Sequence, residues 1–394
     1  MSLSRRSFVR TVGLGGAGLS SAFVIGRGRE AWAFESQAVQ ALQPPADGVI
    51  HIDSNENARG PGQSSIDALH RAISARVGRG YPPDYVRELT RTIAAHSGLD
   101  DDRVIISTGS GAILEAGVRA FCSASKPLVT ASPSYAAPEG AARRIGAAIK
   151  AIPVDRDLRL DLNGMADAAR GAGLVFVCNP NNPTATAHTF ANVDRFVRRV
   201  KQESPDTAIL IDEAYIDYTY DSGVKTAIPL TQELPGVFVA RTFSKAHGMA
   251  GLRLGYGIGQ PATVRAVSQA WSLGSVNTLS AAAGITSLRD TAHMNEDRQE
   301  NARVRDFTLQ AFKRMGYEAS DCHTNHIFVN LGRPAREFRD ACRTLGVAVG
   351  RDFRPMEKTH SRISVGTMAE MRKAVEVFQK VLGKGTGPAL HRVR

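Results

Sequence analysis

Four cysteines in 394 residues, none in a CxxC pair, leave little basis for a disulfide framework. Cys122, Cys178, Cys322 and Cys342 sit mostly among apolar neighbours and read as buried free thiols. The nearest approach to a ligand cluster is "CHTNH" (322–326), which lacks a second group at a useful spacing, so no metal is expected. No apolar run approaches the roughly 20 residues needed to cross a bilayer, so no stable membrane association is expected. Internal repeats are absent. The formal charge of +11 comes without a lysine-arginine block. Residues 1–33 carry five arginines and one glutamate, leaving about +7 spread among acids along the remainder. That pattern describes a solvated basic surface and not a nucleic-acid stripe.

The first 33 residues read as an address. Arg5 and Arg6 are followed by Phe8, then by a modestly apolar, glycine-rich segment and the small-x-small site Ala31-Trp32-Ala33. This resembles a twin-arginine export signal, which implies a periplasmic or exported protein, or a cytoplasmic one if the leader does not function. Gly13, Gly15 and Gly18 match a dinucleotide-binding fingerprint, but that motif requires a buried strand before it, and three arginines precede it here.

From about residue 64 to 285, short apolar runs alternate with segments of helical period. The runs are "RVIIS" (103–107), "PLVTA" (127–131), "GLVFVC" (173–178), "AILID" (208–212) and "VFVA" (237–240). Between two of them, Val193, Phe196, Val197 and Val200 fall on one helical face. Continuous apolar strands separated by amphipathic helices predict an α/β fold, with a mostly parallel sheet in a large three-layer domain. After 285 the order becomes strand-helix-strand-strand-helix, a smaller α+β domain. The expected division is signal 1–33, N-terminal arm 34–62, large domain 63–285, small domain 286–384 and tail 385–394.

In open α/β sheets, ligands gather at the carboxyl ends of the strands. Ser110 and Gly111 open a helix after the first run, where free N–H groups and the helix dipole suit a phosphate. Tyr135 follows the second run, Asn182 the third, and Asp212 with Tyr215 the fourth. Thr242, Ser244, Lys245 and Arg253 follow the fifth. A phosphate cradle, an aromatic plate, an asparagine, a buried acid, a phenol and a lysine together suit one ligand, pyridoxal 5′-phosphate. Its phosphate wants N–H, hydroxyl and guanidinium donors, its ring nitrogen a carboxylate, and its aldehyde a lysine amine.

At this point "NPNNPT" (179–184), "DEAY" (212–215) and "SKAHGMAGLRLGY" (244–256) resemble the fold-type I class I/II aminotransferases, in the histidinol-phosphate aminotransferase branch. "DSNENARGP" (53–61), "GYPPD" (80–84) and "SRISVGTMAEM" (361–371) are similar to that branch too, and the likeness spans about residues 44–384. The resemblance implies a transaminase that moves an amino group from an amino acid, or a histidinol-phosphate-like amine, to a 2-oxo acid. A lyase, decarboxylase or racemase is the alternative on the same fold. It implies that Asp212 meets the ring nitrogen, that Tyr215 and Asn182 bond the ring's phenolic oxygen, and that Tyr135 stacks. Ser110, Gly111, Thr242, Ser244 and Arg253 would hold the phosphate, Lys245 would hold the aldehyde and act as the base, and Arg362 would clamp a substrate carboxylate. Tyr81 would reach the phosphate of a neighbouring subunit, which implies a homodimer. Three departures bear on the substrate. Ala185 stands where glycine is usual, Arg59 replaces a tyrosine of the arm, and Gly350 is an extra residue before Arg351. Arg59 and Arg351 suggest an anionic group at the far end of the substrate.

Overall fold

Strand Leu174–Cys178 shows how the sheet organises the chain. Leu174, Phe176 and Cys178 pack into one hydrophobic cluster, while Val175 and Val177 pack into another on the opposite face. Neighbouring strand Ala208–Asp212 divides the same way, Ala208 and Leu210 to one side, Ile209 and Ile211 to the other. Both faces are therefore buried, and a period-2 backbone covered on both sides reads in sequence as an unbroken apolar run. Each such buried Val, Leu or Ile contributes about 1.5–3 kcal/mol relative to exposure.

The computed structural model describes residues 48–74, 77, 79 and 83–383. The twin-arginine segment, the start of the arm, Tyr81 and the tail 385–394 lie outside the described residues. From Val49 onward the chain forms one compact unit. Its central sheet has seven strands in the order Val104–Ser107, Gly255–Gly259, Val237–Thr242, Ala208–Asp212, Leu174–Cys178, Leu128–Ser132 and Ile149–Pro153. Only Gly255–Gly259 runs against the rest. The five expected runs are all strands of this sheet. Its glycine-rich strand and its edge strand Ile149–Pro153 were not anticipated.

Helix Phe190–Glu203 buries Val193, Phe196, Val197 and Val200, the face that the spacing predicts, and its Thr189 side chain accepts from the Asn192 N–H. Helix Thr278–Arg289 runs across the expected boundary at 285 and packs on helices Gln63–Ala72 and Pro83–Ser97.

A second core surrounds the antiparallel strands Glu318–Ala319, His326–Asn330 and His360–Ser364. Helix Met368–Leu382 covers it with Met371, Ala374, Val375, Phe378 and Leu382. That helix starts with a reciprocal cap, Thr367 N donating to Glu370 Oε2 at 2.7 Å and Glu370 N to Thr367 Oγ1 at 3.3 Å. Leu345, just beyond the end of the preceding helix Ala335–Thr344, is exposed. The arm enters here: strand Ile50–Ile52 pairs in parallel with Val347–Val349. It thereby delivers residues 53–57 to the carboxyl edge of the large sheet.

Candidate active site

A cavity of about 490 Å³ opens at that edge, lined by Ser110, Gly111, Tyr135, Asn182, Asp212, Tyr215, Thr242, Ser244, Lys245, Arg253, Arg351 and Arg362. Twelve of the fourteen expected site residues thus meet in one space. They arrive from the ends of several strands and from loops, which is where an open α/β sheet leaves backbone and side chains free to converge.

Lys245 sits in the turn after Val237–Thr242, half-buried, with Nζ donating to the Asn55 carbonyl at 2.8 Å and the Ser54 carbonyl at 3.3 Å. Burial, then the Arg362 guanidinium, brings the ammonium down to about 8, against the pull of Glu56 and Asp212. An amine with so modest an affinity for its proton is available near neutrality as nucleophile and base.

Asp212 closes strand Ala208–Asp212 and is 3% exposed. Its Oδ1 accepts from the Ala214 N–H at 3.2 Å. Burial pushes its carboxyl up to about 7; the Ala214 N–H pulls it down and neighbouring Glu213 pushes it further up. Glu213 is different: it accepts from Ala227 N at 2.6 Å and Thr226 Oγ1 at 2.8 Å, and pairs with Arg241 at 3.2 Å. Of two adjacent buried acids, one carries a structural cation and the other faces the cavity. The second is the one that a positively charged ligand atom would satisfy.

The Tyr215 hydroxyl accepts from Asn55 Nδ2 at 3.0 Å and Asn182 Nδ2 at 3.4 Å. Asn182 Oδ1 in turn accepts from Arg362 Nη1 at 3.0 Å, and Arg362 Nη2 donates to the Asp53 carbonyl at 2.5 Å. Arg362 is buried, lies over the Phe353 ring at 4.7 Å, and leaves Nε without a partner. Burial lowers its affinity for its proton. A carboxylate arriving in the cavity would restore what burial removes.

The phosphate cradle is built by backbone. Gly109 precedes helix Ser110–Phe121 with φ 85° and provides no side-chain cap; its own N–H and that of Ala112 bond to backbone carbonyls, so the N–H groups of Ser110 and Gly111 are the ones an anion would meet. A Cβ on Gly109 would lie 2.4 Å from Arg253 Nη2, so the glycine makes both the turn and the room for the guanidinium. Arg253 itself holds a left-handed φ of 52°, at a cost of roughly 1–2 kcal/mol. Its Nη1 donates to Ala250 O at 2.7 Å and Ser244 Oγ at 3.4 Å, and this fixes the charge beside Ser110. Thr242 supports the cradle by accepting from Ser244 N at 3.1 Å.

Two expected residues do not join the cavity. Arg59 points into a neighbouring one of about 510 Å³, where it pairs with Glu296 at 2.6 Å and Asp297 at 3.7 Å. Its charge is spent on acids supplied by helix Thr291–Arg314, which the sequence of the arm does not reveal, and it does not line the Lys245 cavity. Tyr81 lies outside the described residues. Asn55 was missed, and Gly350 was read only as an extra residue. Asn55 is 1% exposed with φ 55°, and Ser364 Oγ donates to its Oδ1 at 2.8 Å. Gly350 N donates to Arg362 O at 2.9 Å, and a Cβ there would lie 2.6 Å from that same oxygen. The glycine read as an insertion is therefore what lets the chain lie against Arg362.

Pyridoxal phosphate fits this donor set. A helix terminus, Ser244 and Arg253 suit its phosphate, and Asp212 faces the cavity without a cation of its own. Tyr215 and Asn182 suit the ring oxygen, and Lys245 the aldehyde.

Comparison with known proteins agrees. The family pattern described as "Aminotransferase class I and II" matches residues 47–378. A histidinol-phosphate aminotransferase of Symbiobacterium thermophilum is 34% identical over 86% of this chain and 91% of its own. An aromatic amino acid aminotransferase of Rhodococcus jostii is 33% identical over 82% and 87%. The crystal structure of histidinol-phosphate aminotransferase from Sinorhizobium meliloti in complex with pyridoxal-5′-phosphate superposes with a TM-score of 0.79, at 25% identity, over 97% of this chain and 98% of that one. With a pocket that suits the cofactor and relatives that match most of its length, the chain belongs to the class I and II aminotransferases and is a pyridoxal-phosphate-dependent aminotransferase.

Proposed function

We propose that this enzyme takes its amino group from a donor with an anionic group at its far end, of the histidinol phosphate or acidic amino acid kind, and passes it to a 2-oxo acid. One observation carries this reading. Two guanidinium groups, Arg351 and Arg362, line the cavity with Lys245 and lie over the same Phe353 ring, 4.6 and 4.7 Å from its centre. Arg362 is buried and fixed by Asn182 and the Asp53 carbonyl, which suits the group that every substrate shares. Arg351 is exposed and bound only weakly, to the Asp352 carbonyl at 3.4 Å, which suits the group that distinguishes substrates.

Bound in the cavity, the cofactor supplies the electron sink that lets a Cα–H bond break. The chain's residues do the rest. Asp212 would keep a charge beside the ring nitrogen, and the Tyr215 hydroxyl and Asn182 would hold the ring oxygen. Lys245 Nζ takes the donor's Cα proton and returns it. Lyase, decarboxylase and racemase readings are not favoured, because the family match and the curated relatives above are aminotransferases.

Amino donors assayed in parallel test the proposal. For anionic donors, Arg351→Ala should raise KM about 10-fold, with little change for neutral aromatic donors. This corresponds to one charge-assisted hydrogen bond. An equal effect on both classes would remove the anionic donor from the reading.

Two finer statements belong with it. The enzyme works as a homodimer, with Tyr81 of each subunit at the other's cofactor phosphate; the "GYPPD" likeness supports this. A monomer by sedimentation with full activity would end it. The chain is exported by the twin-arginine route, supported by Arg5, Arg6 and Ala31-Trp32-Ala33. An Arg5→Lys, Arg6→Lys variant exported as efficiently as wild type would end that one.

A further inference from the structure

His326 closes the "CHTNH" run and has no task in the account above. It opens strand His326–Asn330, is fully buried, and stands edge-on to Tyr215 with ring centroids 5.1 Å apart. Asn55 joins the two. Its Nδ2 lies 3.0 Å from the Tyr215 hydroxyl and 2.9 Å from His326 Nδ1.

The far end of that amide fixes which atom is which. Ser364 Oγ accepts from Asn55 N at 2.8 Å and donates to Asn55 Oδ1 at 2.8 Å, so every hydrogen of the loop has an acceptor. The amide group turned toward the rings is then the NH₂, which can only donate. His326 Nδ1 must accept, and the imidazole is the neutral tautomer with its proton on Nε2. Burial favours the same neutral form, reinforced by Arg362, Lys245 and Arg305 and opposed by the Pro183 carbonyl. The phenol receives one N–H from Asn55 and one from Asn182. Its own hydrogen is left for the cavity.

We propose that His326 is a positioning residue which, by accepting one hydrogen of the Asn55 amide, locks that amide in the orientation that makes Tyr215 a hydrogen-bond donor to the cofactor's ring oxygen. If His326 could not accept, only the Tyr215 and Ser364 hydroxyls would hold the Asn55 amide with its NH₂ toward the rings, and the Ser364 hydroxyl can accept as well as donate. Turned over, it would offer an oxygen to the phenol and draw the phenolic hydrogen away from the cofactor. The inference rests on the cofactor lying in this cavity and not on the donor assigned above.

His326→Phe keeps a ring edge-on to Tyr215 and removes the acceptor. The readout is the pH midpoint of the bound cofactor's visible absorbance, titrated without any amino donor, so the result is independent of substrate choice. Donors to the ring oxygen favour the deprotonated form. Their loss should therefore move the midpoint up by about half to one pH unit, the scale of one hydrogen bond. Lys245, Asp212, Cys178, Arg362 and Arg305, the other groups that act on this pair, are unchanged by the substitution. His326→Asn, whose amide oxygen sits near the position of Nδ1, should restore the wild-type midpoint. In a Tyr215→Phe background, His326→Phe should add no further shift. If the phenylalanine variant does not fold, His326→Gln, which reaches toward the Nε2 position, takes its place with the same expectation. A wild-type midpoint in the acceptor-free variant, or an equal shift when Tyr215 is already gone, overturns the proposal.

Discussion

Gly350→Ala is the sharpest probe of how the substrate clamp is held. A Cβ at this position would stand 2.6 Å from Arg362 O, where ordinary contact begins at 3.4 Å, so something must give by about 0.8 Å. The same Cβ would lie 3.3 Å from both Arg362 Cβ and Nε. The strand His360–Ser364 is paired along its length with His326–Asn330, which resists movement of the backbone. Relief therefore comes through residue 350 and the Arg362 side chain, which would lose its aim. Misplacement by about 1 Å can cost about 100-fold, and losing a charge-assisted hydrogen bond costs about 1.5–3 kcal/mol, which is about 10- to 150-fold. The expected result is a 10- to 100-fold fall in kcat/KM, mostly through KM. The visible band of the bound cofactor should persist, because neither Lys245 nor the phosphate cradle touches residue 350. Steady-state kinetics beside an absorbance titration reads both. Wild-type kinetics with a normal spectrum would refute the claim that this glycine shapes the clamp.

Lys245→Ala should lower turnover at least 100-fold and erase the visible band of the bound cofactor, as followed by absorbance and single-turnover assays. The cofactor-free protein should have two pH-dependent stability slopes. Asp212 is raised by burial to about 7, so its contribution is complete below the ordinary aspartate range and is lost as pH rises through 7. Lys245 is lowered to about 8, so its contribution is complete above the ordinary lysine range and is lost as pH falls through 8. Together they place a stability minimum near pH 7–8, read by thermal unfolding; Asp212→Asn should remove the acid-side slope and leave the alkaline one. Ala185 occupies a left-handed φ of 63° inside the second core. Ala185→Gly relieves roughly 1–2 kcal/mol of strain but loses a buried methyl worth about 0.8 and loosens the unfolded chain by about 0.4–1 kcal/mol, so stability should stay within about 1 kcal/mol of wild type. Chemical denaturation that reports a loss of several kcal/mol would show that the methyl's packing dominates.

The sequence made the large sheet legible where burial on both faces forces continuous apolar runs, as at Leu174–Cys178. It hid Gly255–Gly259, because glycines carry no side chain to announce a buried strand. It also hid Ile149–Pro153, an edge strand with no fully buried residue. The cofactor residues were legible because each follows its own strand in a short motif. The surroundings of Arg59 were not legible for the opposite reason: its partners Glu296 and Asp297 lie more than 230 positions away. Asn55, His326 and Ser364 acquire meaning only through one another, across separations of 271 and 309 residues. No local spacing encodes such a triangle.

The pairing of Ile50–Ile52 with Val347–Val349 has a consequence for biosynthesis. The acceptors of the Lys245 amine come from the first sixty residues of the chain, and the guanidinium at 362 from near its other end. A nascent protein can complete its seven-stranded sheet while still on the ribosome, since the last of those strands ends at Gly259. It cannot seat coenzyme in a finished pocket until translation has passed the final strand and the early segment has threaded back beside it.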